Sequence, residues 1–177
     1  WGGINLEDIA APECFMIEQQ LSEKLDIPVF HDDQHGTAIV ATAGLLNALT
    51  ITGRDIKNFK MVVNGAGAAG IACVELLKAM GMPSKNVIMC DRKGVISKSR
   101  NDLDQWKSAH AVDTPHKTLA DALKGADIAF GLSVKGAFTN DMMLSMNDKP
   151  IVFAMANPDP EITPDELRKI RPDAIIA

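Results

Sequence analysis

Along the chain, apolar residues fall into short blocks divided by polar stretches, and the blocks keep two different rhythms. Behind Pro12, a residue suited to a first helical turn, Phe15, Ile17, Leu21 and Leu25 recur at near-helical spacing, which predicts a helix over residues 12–25. A short apolar run at 27–30 reads as a strand, the polar stretch from His31 to His35 as a turn, and the Ala-rich segment at 37–49 as a helix. A second series follows, with strands at 60–64, 86–90, 127–131 and 151–155 and helices at 67–80, 117–124 and 139–146. Thr163-Pro164-Asp165-Glu166 sets a cap, a first-turn proline and an acid three places after the cap, so a last helix starts there and leads to a strand at 174–176. Residues 51–59 and 97–115 read as polar linkers, and no element is predicted ahead of residue 12. Strands alternating with helices specify an α/β fold: a mainly parallel sheet with helices on both faces.

Composition narrows the classes. With 177 residues, 46% hydrophobic and 23% charged, the chain has the size of one domain, or one domain plus a short extension, and can bury a core. Eighteen basic residues against 23 acidic ones give a net charge of −5 with no dense Lys/Arg block, which argues against nucleic acid or a membrane surface and for small-molecule partners. The apolar runs fall short of the roughly eighteen residues that cross a bilayer, and no export signal is visible. Cys14, Cys73 and Cys90 lack CxxC spacing; they read as buried apolar thiols in a reducing, cytoplasmic setting. There is no tyrosine, so no phenol is available as an acid or base. The chain starts and stops abruptly and reads as a piece of something longer.

The most specific local pattern is a glycine loop. Gly65-Ala66-Gly67-Ala68-Ala69-Gly70 follows the strand at 60–64 and opens the helix at 67–80. Gly65 permits a sharp turn, Gly67 lets the backbone approach a pyrophosphate, and Gly70 lets the helix pack on the strand. Phosphates then sit at a helix N-terminus, where free N–H groups favour anions. Asp91 follows Gly70 by 21 residues and ends the next strand, about where an adenosine ribose is held. Together these point to a Rossmann-like, doubly wound sheet binding NAD or NADP; the other reading is glycines that merely make a tight strand–helix joint. Asp91 favours a free ribose hydroxyl; Arg92, Lys93, Lys98 and Arg100 nearby either pair with a 2′-phosphate or form a solvated basic loop.

Two carboxylate pairs, Glu7-Asp8 and Asp32-Asp33, stand near the N-terminus, with Asp33 25 positions after Asp8. Gathered carboxylates repel, and a divalent cation explains such gathering most simply; oxygen ligands favour magnesium or manganese over zinc. The other reading is surface acids at element ends. Gly2, Gly3 and Gly36 favour a site, since they allow the bent backbone that adjacent carboxylates need. His31 and His35 offer a base near neutral pH or a hydrogen-bonding scaffold. Asn157 stands at the C-terminal end of a parallel strand, where ligands bind in such sheets, with Pro158 and Pro160 stiffening the loop; a plain structural turn is the alternative.

These pieces together resemble the malic enzyme family. Residues 2–15 are similar to its metal-binding segment, 27–38 to its second acidic motif, Asn64–Gly70 to its cofactor loop, and Phe153-Ala-Met-Ala-Asn-Pro158 to the late strand with a substrate-contacting asparagine. The resemblance implies that Glu7, Asp8 and Asp33 ligate magnesium or manganese, and that Asp32 is a neighbouring catalytic acid ordering the substrate. It implies that Asn157 contacts malate and sits near the nicotinamide, and that Asp33 borders the cofactor. The implied reaction takes malate and NAD or NADP to pyruvate, carbon dioxide and reduced cofactor. It divides the chain into a metal-binding segment at 1–35 and a cofactor domain at 36–177 of a homo-oligomeric enzyme. In the family a tyrosine and a lysine act as acid and base, and neither has a counterpart here, so the chain by itself is expected to be inactive. Two other readings stay open. One is another metal-assisted hydroxy-acid or amino-acid dehydrogenase, separable by testing different 2-hydroxy acids with manganese. The other is a noncatalytic nucleotide-sensing module, whose substrate affinity would ignore metal.

Overall fold

Strands β3 (Met61–Asn64) and β6 (Ile128–Gly131) are buried along their whole length, the pattern of strands covered on both faces. The computed structural model describes all 177 residues. Around this pair lie β4 (Val87–Asp91), β5 (Gly94–Val95), β7 (Ile151–Ala154) and β8 (Ile175–Ile176), in the sheet order β5-β4-β3-β6-β7-β8. All neighbours are parallel except β4 and the edge strand β5. The order reverses direction between β3 and β6, where crevices in doubly wound sheets receive their ligands.

Alternation along each strand divides the core. Met61 and Val63 face one layer with Leu45 of α2 (Asp32–Thr52) and Val74 and Leu77 of α3 (Ala68–Ala79). Val62 faces the other layer, with Leu123 of α5 (Leu119–Leu123), Met143 of α6 (Asn140–Leu144) and Leu167 of α7 (Pro164–Ile170). A short helix α4 (Gln105–Ser108) interrupts the polar excursion at 97–115. The Thr163–Glu166 capping box forms as predicted: Glu166 N–H donates to Thr163 Oγ1 at 3.3 Å, and Thr163 N–H donates to Glu166 Oε2 at 3.1 Å.

The N-terminal part departs from the sequence reading in two ways. An unpredicted strand β1 (Ile4–Leu6) pairs in parallel with β2 (Val29–His31), Leu6 opposite His31, across α1 (Glu13–Lys24). Three residues between glycines and acids were too short a run to register as a strand. The expected polar turn from His31 to His35 is instead the start of α2, with His31 as cap and Asp32 and Asp33 in the first turn. Acids at that position interact favourably with the helix dipole, which outweighs their apparent break in the apolar pattern. Gly36 therefore does not bend the backbone; a β-carbon there would fall on the Asp32 carboxylate one turn earlier. Residues 35 and 36, where the sequence reading divides the chain, lie inside α2. All three cysteines are free and buried. No helix is long and apolar enough to cross a membrane.

Candidate functional site

The chain leaves β3 at Asn64 and turns at Gly65, whose φ of 128° lies in the region that favours glycine. Gly67 caps α3 without any side-chain hydrogen bond, so the first N–H groups of a twelve-residue helix face outward with the positive end of its dipole. A β-carbon on Gly70 would collide with the Gly65 carbonyl oxygen, which explains why the third glycine is needed for close helix–strand packing. In front of this turn lies a cavity of about 950 Å³, bordered by Gly65, Ala66, Gly67, Asp91, Arg92, Lys93 and Trp106. Ala68 and Gly70 lie inside α3 and do not border this cavity.

Asp91 reaches this cavity with its charge already matched. Arg100 donates to both of its oxygens, at 2.8 and 3.0 Å, and Lys93 N–H donates to Oδ1 at 2.9 Å. Burial works to raise the Asp91 carboxyl, but these hydrogen bonds outweigh it and hold the group below its ordinary value. Arg100 also binds Asp102, which takes Lys93 Nζ as well. Arg100 is thus not part of a solvated loop, whereas Arg92 and Lys93 are exposed at the cavity edge.

A second cleft, about 610 Å³, opens beside the first. Asp32, Asp33, Ala69, Leu132, Ser133 and Asn157 line it, so Ala69 of the glycine loop faces this cleft. Leu132 and Ser133, just past β6, border both cavities and form their common wall. Asp33 and Asn157 lie on the second cleft and border the first only through that wall.

The β1–β2 pairing brings the two acidic pairs to adjacent strand ends, and Asp8 N–H donates to Asp33 Oδ2 at 2.8 Å. The contact runs through the Asp8 backbone, and the Glu7 and Asp8 side chains are exposed. Glu7, Asp8 and Asp33 do not converge: no group of three or more His, Cys, Asp or Glu side chains comes to metal-holding distance. His31 is fully buried, with neither ring nitrogen hydrogen-bonded and Nε2 3.9 Å from Asp33 Oδ2. His35 Nε2 lies 2.7 Å from Glu18 Oε1, the scaffold role of the two considered.

Glu18 and Glu161 were not anticipated. Glu18 also accepts from His31 N–H at 3.1 Å and Gln34 Nε2 at 3.1 Å, pinning the first turn of α2 to α1. Its signal was present: an acid four residues after buried Cys14 and three after Phe15, on the inward stripe of α1. Glu161 is fully buried and follows Pro-Asp-Pro, with no periodicity to mark it.

A doubly wound sheet with a glycine turn at its switch point is the architecture of a dinucleotide-binding domain. The sequence profile described as "Malic enzyme, NAD binding domain" matches residues 34–177, and the chain belongs to that family. It is 68% identical over its full length to an NADP-dependent malic enzyme of Rhizobium meliloti, and 58% identical over its full length to one of Halomonas elongata. It superposes on the crystal structure of an NAD-dependent malic enzyme from Thermotoga maritima with a TM-score of 0.92 at 44% identity, over all of this chain. The chain spans 23% and 42% of the two sequence relatives and 48% of the solved chain.

Proposed function

We propose that this chain is the cofactor-binding part of an enzyme that converts malate and NAD(P)⁺ to pyruvate, carbon dioxide and NAD(P)H. The observation that carries this reading is the wall shared by the two cavities. A dinucleotide held at the Gly65–Gly67 turn and running along the sheet toward β6 ends at Leu132 and Ser133, across which lies a cleft bearing Asp32, Asp33 and Asn157.

In this reading the α3 N-terminus binds the pyrophosphate and Gly67 leaves room for it. Arg100 neutralises Asp91, and exposed Arg92 attracts a ribose 2′-phosphate, which favours NADP. The nicotinamide ring, when bound, supplies the acceptor for the C2 hydride of malate. Asn157 orients the substrate from the end of β7, and Asp32 orders it from the first turn of α2.

The acidic pairs suit a magnesium or manganese ion in donor chemistry and in lying side by side, and the exposed Glu7 and Asp8 side chains are free to turn toward Asp33. Glu7, Asp8 and Asp33 would hold the ion, whose chemistry is polarisation of a hydroxyl or ketone oxygen. Three buried free thiols support a reducing cytoplasmic setting, and homo-oligomerisation is part of the same proposal.

Fluorescence titration with NADPH and NADH, each with and without manganese, tests the reading. Energy transfer from Trp106, which borders the larger cavity, is expected on binding. Binding of neither nucleotide would refute the proposal. With no tyrosine in the chain, malate turnover is expected to be negligible.

A further inference from the structure

Glu161 is fully buried, yet it belongs to neither cavity lining and to no ion pair that would explain a charge in the interior. Its contacts are with two loops. Oε1 accepts from Ser133 N–H at 2.7 Å and from Ser133 Oγ at 3.1 Å, and Oε2 accepts from Ala156 N–H at 3.0 Å. The Ser133 hydroxyl oxygen in turn accepts from Asn64 Nδ2 at 2.7 Å. One carboxylate therefore ties the end of β3, the loop after β6 and the loop after β7 into a single hydrogen-bonded chain across the switch point.

Room for it is reserved in the sheet, because a β-carbon on Gly131 would fall on the Glu161 carboxyl group. Burying a carboxylate is costly unless its oxygens are satisfied, so a group kept here must do something that an apolar side chain cannot. A carboxylate offers two acceptor oxygens, which is what two loops presenting N–H groups require; a carboxamide offers one acceptor and one donor.

We infer that Glu161 is a positioning residue, holding Ser133 in the wall that separates the nicotinamide end of the cofactor from the acidic cleft, and the Ala156–Asn157 segment on the cleft side of that wall. The inference rests on the cofactor reading of the two cavities and adds to it what keeps their wall in place. Glu161 touches neither ligand; it acts through Ser133 and Ala156.

Calorimetric titration of the chain and its Glu161→Gln variant tests this with two pairs of probes: NADPH against 2′,5′-ADP, and NADH against ADP. The short nucleotides contact the glycine turn and the Asp91 region and stop before the wall. Glu161→Gln turns an amide donor toward one N–H group and releases one loop. The whole dinucleotide is expected to bind about tenfold more weakly, and the short nucleotide within about twofold of the parent chain. A merely structural role would weaken both probes together. Glu161→Asp, which keeps both acceptor oxygens but draws them back by one methylene from the two loops and touches neither cavity, is expected to give the same selectivity at about threefold, and keeps the test decisive if Glu161→Gln does not fold. Equal loss for both probes, or no loss for either, overturns the inference. Failure of the parent chain to bind any of the four nucleotides instead overturns the cofactor reading on which it stands.

Discussion

Asp91 and Arg100 meet in a two-pronged ion pair, Oδ1 to Nη1 at 2.8 Å and Oδ2 to Nη2 at 3.0 Å. The carboxylate at the end of β4 is therefore largely neutralised within the chain itself. In the absence of that pairing, Asp91 would present a negative charge that accepts from ribose hydroxyls and repels a 2′-phosphate. Arg100→Ala is expected to raise the ratio of the NADPH to the NADH dissociation constant by about tenfold or more, roughly 1.4 kcal/mol of changed preference. Parallel fluorescence titrations of the variant and the parent measure it. An unchanged ratio would show that Arg100 has no part in cofactor choice.

The same pair ties stability to acidity. The Asp91 carboxyl is held below its ordinary value in the folded chain, so its contribution is present above the unfolded value of 3.8 and fades as the pH falls through the lower folded value. At the alkaline end the thiols act in the opposite direction. Burial pushes Cys73 and Cys90 up to about 12 from 9.0, so their contribution is complete below about 9 and is lost as the pH rises toward about 12. Urea denaturation across that alkaline range is expected to show falling stability, with a shallower slope in the Cys73→Ala/Cys90→Ala double variant.

Gly67 and Gly70 should fail differently when given a methyl group. At Gly70 the new carbon meets the Gly65 carbonyl oxygen, backbone against backbone, and Gly70→Ala is expected to cost about 1–3 kcal/mol in chemical denaturation. At Gly67 the new carbon meets nothing within 4 Å. Gly67→Ala is therefore expected to leave stability within about 0.5 kcal/mol while weakening NADPH binding, because the methyl occupies the approach path of the pyrophosphate. Equal effects at the two positions would argue against a phosphate at this turn.

Removal of the acid that receives the Asp8 N–H separates the metal proposal from the cofactor proposal. Asp33→Ala is expected to abolish manganese binding, followed by electron paramagnetic resonance, with NADPH affinity changed less than about twofold. Undiminished manganese binding would place any ion elsewhere.

Periodicity carried most of the sheet. β3, β4, β6 and β7 are apolar runs with turn residues at both ends, and their predicted limits fall within a residue or so of the observed ones. The capping box at Thr163 was equally readable, since its side-chain chemistry is local. What failed to show was structure whose cause is distant. β1 exists because β2 pairs with it, and nothing within Ile4–Leu6 says so. The start of α2 was obscured because Asp32 and Asp33 are polar for reasons of charge and helix end, not of turn geometry. Of the site, the glycine turn and the acidic pairs were legible as residue types. The Asp91–Arg100 pairing and the Glu161 tether were not, because both depend on which loops the folded sheet brings within 3 Å or so of one another.

Leu132 and Ser133 serve two chambers at once, and a partition cannot be moved for one tenant alone. A ligand that shifts this partition from one chamber changes the affinity of the other, and the factor is the same in both directions, as thermodynamic reciprocity requires. Selectivity for one molecule can be retuned independently at residues that border one chamber alone, such as Arg92 on one side and Val40 on the other.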